Sequence, residues 1–254
     1  MVFGRKYKSK IITGIVGVFL VLLIGSSVWK RNNLLCQNVA VEFDLAEGEE
    51  NLVTREEVLK LISKNSTDYP NGKLFKALNF RELEERVLQN RLVKKCMVHQ
   101  DWSGTLTVDI DQQKPLARLV TEQTGDKEGY LTEDGEVVPL SKYHTVKVLL
   151  VSGKYFQGVT DLKNKKSADL FAFIKKINED EFWKAQITQL SVTKDGNISV
   201  IPEVGNHIID FGIATDVETK LNKIKILYQK ILPAKGWAKY KVISVKYRNQ
   251  IVCE

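Results

Sequence analysis

Histidine, cysteine and proline are scarce in this 254-residue chain, at three, three and five residues. Cys36, Cys96 and Cys253 stand far apart, which excludes a CxxC redox pair, a cysteine zinc cluster and a disulfide-stapled fold. Cys96 lies in a strand-like stretch and reads as a buried free thiol. His99, His144 and His207 are equally dispersed and read as surface or turn residues. The chain has no GxSxG elbow, no HExxH, no glycine-rich phosphate loop and no SxxK. Asp109 and Asp111 share one strand face, but a hard cation takes more oxygen ligands than two. No catalytic, metal-binding or cofactor-binding residue is assigned, no small-molecule ligand is expected, and the chain does not read as an enzyme.

Acidic residues are absent from the first ten positions, where Arg5, Lys6, Lys8 and Lys10 supply four of the seven net positive charges. The remainder nets +3, too weak a field to imply nucleic-acid binding. Long apolar runs are also absent, with one exception. Ile11 to Val28 contains no charge and is followed by Trp29. Eighteen residues at ~1.5 Å rise cover roughly 27 Å, close to the ~30 Å of bilayer hydrocarbon. The run predicts a single transmembrane helix over 11–29, with Trp29 at the interface. Four basic residues precede it and two follow (Lys30, Arg31), so residues 1–10 are expected in the cytoplasm and the bulk of the chain outside. A cleaved signal peptide competes, through the small Gly25-Ser26-Ser27. The run exceeds the usual h-region of about 7–15 residues, however, and bulky Trp29 and basic Lys30 follow at once.

Beyond the anchor the pattern divides. Residues 34–113 read as β-α-α-β-β. Val39, Val41 and Phe43 alternate with Ala40, Glu42 and Asp44 as a half-buried strand. Thr54-Arg55-Glu56-Glu57 is a capping box ahead of Val58, Leu61 and Ile62, giving a helix to about Lys64. Asn79 opens a second helix with Phe80, Leu83, Val87 and Leu88 as its apolar stripe. Cys96 and Val98, then Leu106, Val108 and Ile110, mark two strands joined at Asp101-Trp102-Ser103-Gly104. A three-stranded sheet covered on one face by two helices would bury these stripes. Residues 114–254 form a β-rich domain with flanking helices. Its strands are Leu116–Val120, Gly129–Leu131, Val137-Val138, Val146–Val151, Ile187–Thr193, Asn197–Ile201 and a final Val242 to Tyr247 or beyond. Its helices are Ala168–Asn178 and Val217–Leu232, the latter with Asp216 as cap. The fold class is α+β.

Several passages resemble the bacterial division family FtsQ/DivIB, in its Bacteroidetes form. The segment Leu92-Val93-Lys94-Lys95-Cys96-Met97-Val98 with Asp101 to Leu106 is similar to the closing strands of a POTRA domain. Gln112-Gln113-Lys114-Pro115-Leu116-Ala117-Arg118 resembles the family's Q-x-x-P-x-A-R passage. Gly129 to Gly135 with Val138-Pro139-Leu140-Ser141 resembles its Y-L-D-x-x-G-x-x-x-P-L-S stretch, with Thr132 where Asp is common. Phe211-Gly212, Lys220-Leu221, Lys225, Gly236-Trp237, Tyr240 and Lys246 to Val252 match its end.

The resemblance implies a non-enzymatic divisome scaffold of the inner membrane, placed at the septum with its bulk in the periplasm. It implies binding to FtsB- and FtsL-like partners and a share in coordinating septal peptidoglycan synthesis. In that family the last strand takes the partner by strand addition. Lys246 and Tyr247 occupy the positions of its Arg-Tyr pair, so Lys246, Tyr247 and Arg248 are the candidate partner-binding residues. Tyr247 shares parity with Ile243 and Val245, which leaves a core role open beside the partner role. Two other functions fit an anchored outer body. A POTRA-bearing assembly or export component would bring further repeats or a barrel, and an anchored exoplasmic enzyme would need a catalytic site.

Overall fold

A computed structural model describes residues 15–28, 33–46, 50–63, 69–121 and 128–254. Residues 15–28 form a helix, α1, whose side chains are exposed, among them Phe19 at 60% and Leu22 at 65%. Residues 11–14 and Trp29 of the expected span lie outside the described residues. No helix among the described residues is long and apolar enough to cross a membrane. Contacts divide the chain into two units, 1–112 and 113–254.

In the first unit β1 (Asn38–Asp44) pairs parallel with β3 (Thr105–Gln112), which pairs antiparallel with β2 (Val93–Gln100). The central strand carries the core: Leu106, Val108 and Ile110 are all at 0% exposure. Helices α2 (Arg55–Ile62) and α3 (Phe80–Val87) bury Val58, Ile62, Leu83 and Val87. Both open as the sequence predicts. Thr54 Oγ1 accepts from the Glu57 amide at 3.2 Å, and Asn79 Oδ1 from the Glu82 amide at 3.3 Å. Arg86 closes the far end of α2 by donating to the Ile62 carbonyl at 2.7 Å. Side chains also plug the sheet's edges: Glu84 accepts from the Val98 amide at 2.8 Å and Arg55 donates to the Val39 carbonyl at 3.3 Å. Such plugs keep edge strands from pairing with other chains. Thr54→Ala is expected to cost roughly 0.5–2 kcal/mol, and Leu83→Ala about 2–5 kcal/mol because it empties a buried site. Denaturant unfolding of both variants checks the ordering.

In the second unit nine strands make one sheet. They are β4 (Pro115–Val120), β5 (Gly129–Thr132), β6 (Val137–Pro139), β7 (Leu149–Ser152), β8 (Ile187–Val192), β9 (Ile198–Pro202), β10 (Ile208–Gly212), β11 (Val242–Ser244) and β12 (Val252–Cys253). Their order is β12-β11-β10-β9-β8-β7-β4-β5-β6, with β4–β7, β7–β8 and β10–β11 parallel. Helix α4 (Ala168–Glu179) and helix α6 (Val217–Ile226) cover the same face. Phe211 of β10 is the proof: it stacks on Phe173 of α4 at 4.5 Å and lies 5.0 Å from the Lys220 ammonium of α6. The unit is thus a β-rich body with flanking helices, and the whole chain is α+β.

The structure departs from expectation at five places. β10 and a short helix, α5 (Glu181–Gln186), are additional elements, each too short for a periodic signal. The strand expected from Val146 starts only at Leu149. Asp216 sits at the start of α6 with a left-handed backbone, φ 51°, and its side chain makes no capping bond. The helix of 217–232 does not run evenly either. It widens into a π turn at Leu227–Ile231 before α7 (Leu232–Lys235), because Pro233 has no amide to continue the regular ladder. The fifth, at the C-terminal strand, concerns the candidate site.

Candidate partner-docking edge

One margin of the nine-stranded sheet is built from the last residues of the chain. β10 and β11 run parallel, aligning Ile209 with Ile243 and Asp210 with Ser244. The expected strand from Val242 to Tyr247 or beyond ends at Ser244. The Val245 amide donates to the Asp210 carbonyl at 3.0 Å, and Tyr247-Arg248-Asn249 then turns the chain back. Val252 and Cys253 return antiparallel to β11, opposite Ser244 and Ile243. β12, not a continuous 242–252 strand, is therefore the outermost strand.

Hydrogen bonding fixes which way β12 faces. Glu254 and Val242 exchange both main-chain bonds, at 2.9 and 3.1 Å. In an antiparallel pair such residues alternate with ones whose amide and carbonyl point away. Glu254 and Val252 thus face β11, while the main chains of Cys253 and Ile251 face outward, a short unpaired edge.

Lys246, Tyr247 and Arg248 are brought together beside this edge, in the turn rather than on a strand. Lys246 Nζ pairs with Asp210 Oδ2 at 2.6 Å, and Ser244 Oγ donates to the same oxygen at 3.1 Å. The Asp210 carboxylate raises the Lys246 pKa above its ordinary value. Lys223 of α6 donates to the Tyr247 carbonyl. Tyr247 is 45% exposed, so the core role is overturned: the turn lifts its ring from the face that Ile243 and Val245 share. Arg248 is exposed. Gly212 (φ +70°) lets the turn approach, since a Cβ there would lie 2.9 Å from Lys246 Cβ. Sequence reasoning missed Asp210, and it named Gly212 only within the family resemblance, not as part of the site. A lone carboxylate inside Ile-Ile-Asp-Phe-Gly was the available signal.

Behind the edge lies a buried polar contact. His207, expected as a surface or turn residue, lies in the loop before β10 but is only 2% exposed, and its Nε2 lies 3.0 Å from the Tyr228 hydroxyl. The π turn places Tyr228 there, and its ring also meets Trp237 edge-on at 5.3 Å. Burial lowers the His207 pKa below its ordinary 6.5, partly offset by the Trp237 main chain. The unfolded state therefore binds this proton more readily. The neutral imidazole's contribution to stability is complete above pH 6.5 and declines as pH falls from there through the folded pKa. Thermal melts between pH 7.5 and 5 should fall more steeply for the wild type than for His207→Gln.

The described residues offer no group of three or more His, Cys, Asp or Glu that would hold a metal ion. His99 Nδ1 lies 3.1 Å from Asp109. All three thiols are free. Cys96 is half-buried, and burial together with Glu84 and Asp109 pushes its pKa up to about 12, so the thiolate nucleophile is scarce at neutral pH.

Comparison with known families locates this geometry. Residues 34–111 match the POTRA-like domain, and residues 114–254 match the domain described as FtsQ/DivIB, C-terminal related. No curated protein gives a significant match. The second match spans more than half of the chain and includes β10, β11, β12 and the turn at 246–249. The chain belongs to the FtsQ/DivIB family.

Proposed function

We propose that this protein is a non-enzymatic scaffold of the division machinery, held in the inner membrane by residues 11–29. Residues 1–10 face the cytoplasm and the POTRA-like and β domains occupy the periplasm. At the septum it binds FtsB- and FtsL-like partners and helps coordinate peptidoglycan synthesis. The match of residues 114–254 to the FtsQ/DivIB C-terminal family is the observation that carries this reading.

The outward main chains of Ile251 and Cys253 suit strand addition, in which a partner segment supplies the missing hydrogen bonds. Tyr247 and Arg248 then offer side chains beside the new strand, while Lys246 holds the turn against Asp210. A fluorescent fusion tests the function: septal enrichment supports it, and a uniform envelope signal contradicts it. Paired reporters at the two ends test the orientation. The C-terminal one should be active only in its extracytoplasmic form, and the reverse pattern contradicts the topology.

A further inference from the structure

The sheet of the POTRA-like unit has two ends, and its topology sets which one meets the incoming chain. β1 runs parallel to β3, so Asn38 pairs with Thr105, the first residue of β3. The β2–β3 turn, Asp101-Trp102-Ser103-Gly104, therefore lies at the end where β1 begins. Backbone bonds close that end. The Gln37 amide donates to the Gly104 carbonyl at 2.8 Å, the Cys36 amide to the Lys73 carbonyl at 2.8 Å, and the Phe75 amide to the Leu34 carbonyl at 3.0 Å. Gly104 (φ +91°) permits the approach, since a Cβ there would lie 3.0 Å from the Leu35 carbonyl oxygen. Residues 34–37, the 72–75 loop and the β2–β3 turn thus form one rim.

Trp102 projects from this rim. At 82% it is more exposed than any other large apolar side chain among the described residues, and Leu35 beside the turn is 48% exposed. The turn itself does not call for an indole. Asp101 shapes it, its Oδ1 accepting from the Ser103 amide at 2.9 Å and the Thr105 amide at 2.7 Å. An indole held out in water is unfavourable, whereas its apolar body and polar N–H together suit the headgroup layer of a bilayer. Charge agrees with that setting. Residues 30–37, 69–78 and 101–104 carry Lys30, Arg31, Lys73 and Lys76 against a single acid, Asp101, a balance that favours anionic lipid.

We infer that this rim is a membrane contact: Trp102, with Leu35 beside it, rests in the headgroup layer on the periplasmic side and gives the POTRA-like unit a second attachment to the bilayer. The inference rests on the reading of residues 11–29 as a membrane span. Asn33 then follows the apolar run, which ends at Val28, by five residues, a reach of at most about 18 Å. A lipid surface is the occupant because the chain enters the unit at this rim, while the opposite end of the sheet lies ~26 Å further along β3. One connection leaves a domain free to tilt over the bilayer; a second contact sets its tilt and height.

The test uses the full-length protein in vesicles of phosphatidylcholine and phosphatidylglycerol, prepared with and without bromine on the acyl chains next to the headgroup. Bromine quenches an indole only at close contact. The chain has four tryptophans. Trp102 is therefore read as the difference between Trp29→Phe and the double variant Trp29→Phe, Trp102→Phe, and Trp29 as the difference between wild type and Trp29→Phe. The Trp102 emission should fall by about half in brominated vesicles, as expected of a ring at the interface, and Trp102→Phe should leave the melting temperature within a few degrees. Equal Trp102 emission in both vesicles, with Trp29 quenched and the protein retained at high pH, overturns the inference and leaves the span standing. Release of the protein at high pH with Trp29 unquenched contradicts the span and the inference together. A Trp102 that bromine does not quench but that is shielded from acrylamide in the same vesicles would put a second protein copy on the tip, which also overturns the inference.

Discussion

Phe211→Ala should destabilise the β domain by about 3–5 kcal/mol, the cost of truncating a fully buried aromatic residue. Phe211 is at 0% exposure in the middle of β10. Its ring stacks on Phe173 at 4.5 Å with planes 21° apart, and the Lys220 ammonium sits 5.0 Å away on its other side. Removing it leaves a cavity between the sheet and both covering helices. It also leaves a buried lysine whose pKa burial already lowers, with the Ile213 carbonyl as its hydrogen-bond partner among the described residues. The β-domain melting transition should fall by roughly 10 °C. Phe211→Leu, which keeps most of the volume, should lose much less. A drop under 1 kcal/mol for the alanine variant would mean that α4 and α6 do not close over this strand.

Gly153→Ala is expected to be nearly as severe, although it adds one methyl group. Gly153 follows β7 with φ +112°, a region that side chains rarely adopt. Its added Cβ would lie 2.2 Å from the Val192 carbonyl oxygen and 2.8 Å from the Val192 nitrogen. Both are backbone atoms of β8, so no rotamer change relieves the overlap. The sheet has to open between β7 and β8, or the turn has to rebuild. Backbone strain of this kind costs of the order of 1–3 kcal/mol before any lost pairing is added. Gly158→Ala is the control: its φ is also positive, at +68°, but no atom lies within 4 Å of the added carbon. Equal melting temperatures for the two variants would contradict the close approach.

Residues with a local signature were the legible ones. The period-two strands at Val39–Phe43 and Leu106–Ile110, the caps at Thr54 and Asn79, and the helix expected over Ala168–Asn178 are each fixed by neighbours in sequence. Short elements held by distant partners were not. β10 owes its existence to β9 and β11 on either side, and five residues contain no periodic signal. Asp216 resembles a helix cap in sequence, yet its left-handed backbone leaves the carboxylate without a capping amide. The same holds at the margin of the sheet built from the last residues. Val242 to Val252 alternates like one long strand, but Asp210, over thirty positions earlier, captures Val245 and Lys246 and forces the turn. Tyr247 consequently is exposed, where alternation had left a core role open beside the partner role. His207 is buried by Tyr228, which a π turn swings into place and which helical spacing alone does not position.

Capture of FtsB- and FtsL-like partners by Cys253→Pro tests the central claim most directly. The Cys253 amide faces away from β11, so proline there removes one outward-facing donor while the bonds between Glu254 and Val242 remain. Co-purification of the full-length protein with both partners should fall sharply, with the melting temperature within a few degrees of the wild type. Wild-type capture by Cys253→Pro and also by Val252→Pro, which breaks β12 away from β11, would show that the partners dock elsewhere.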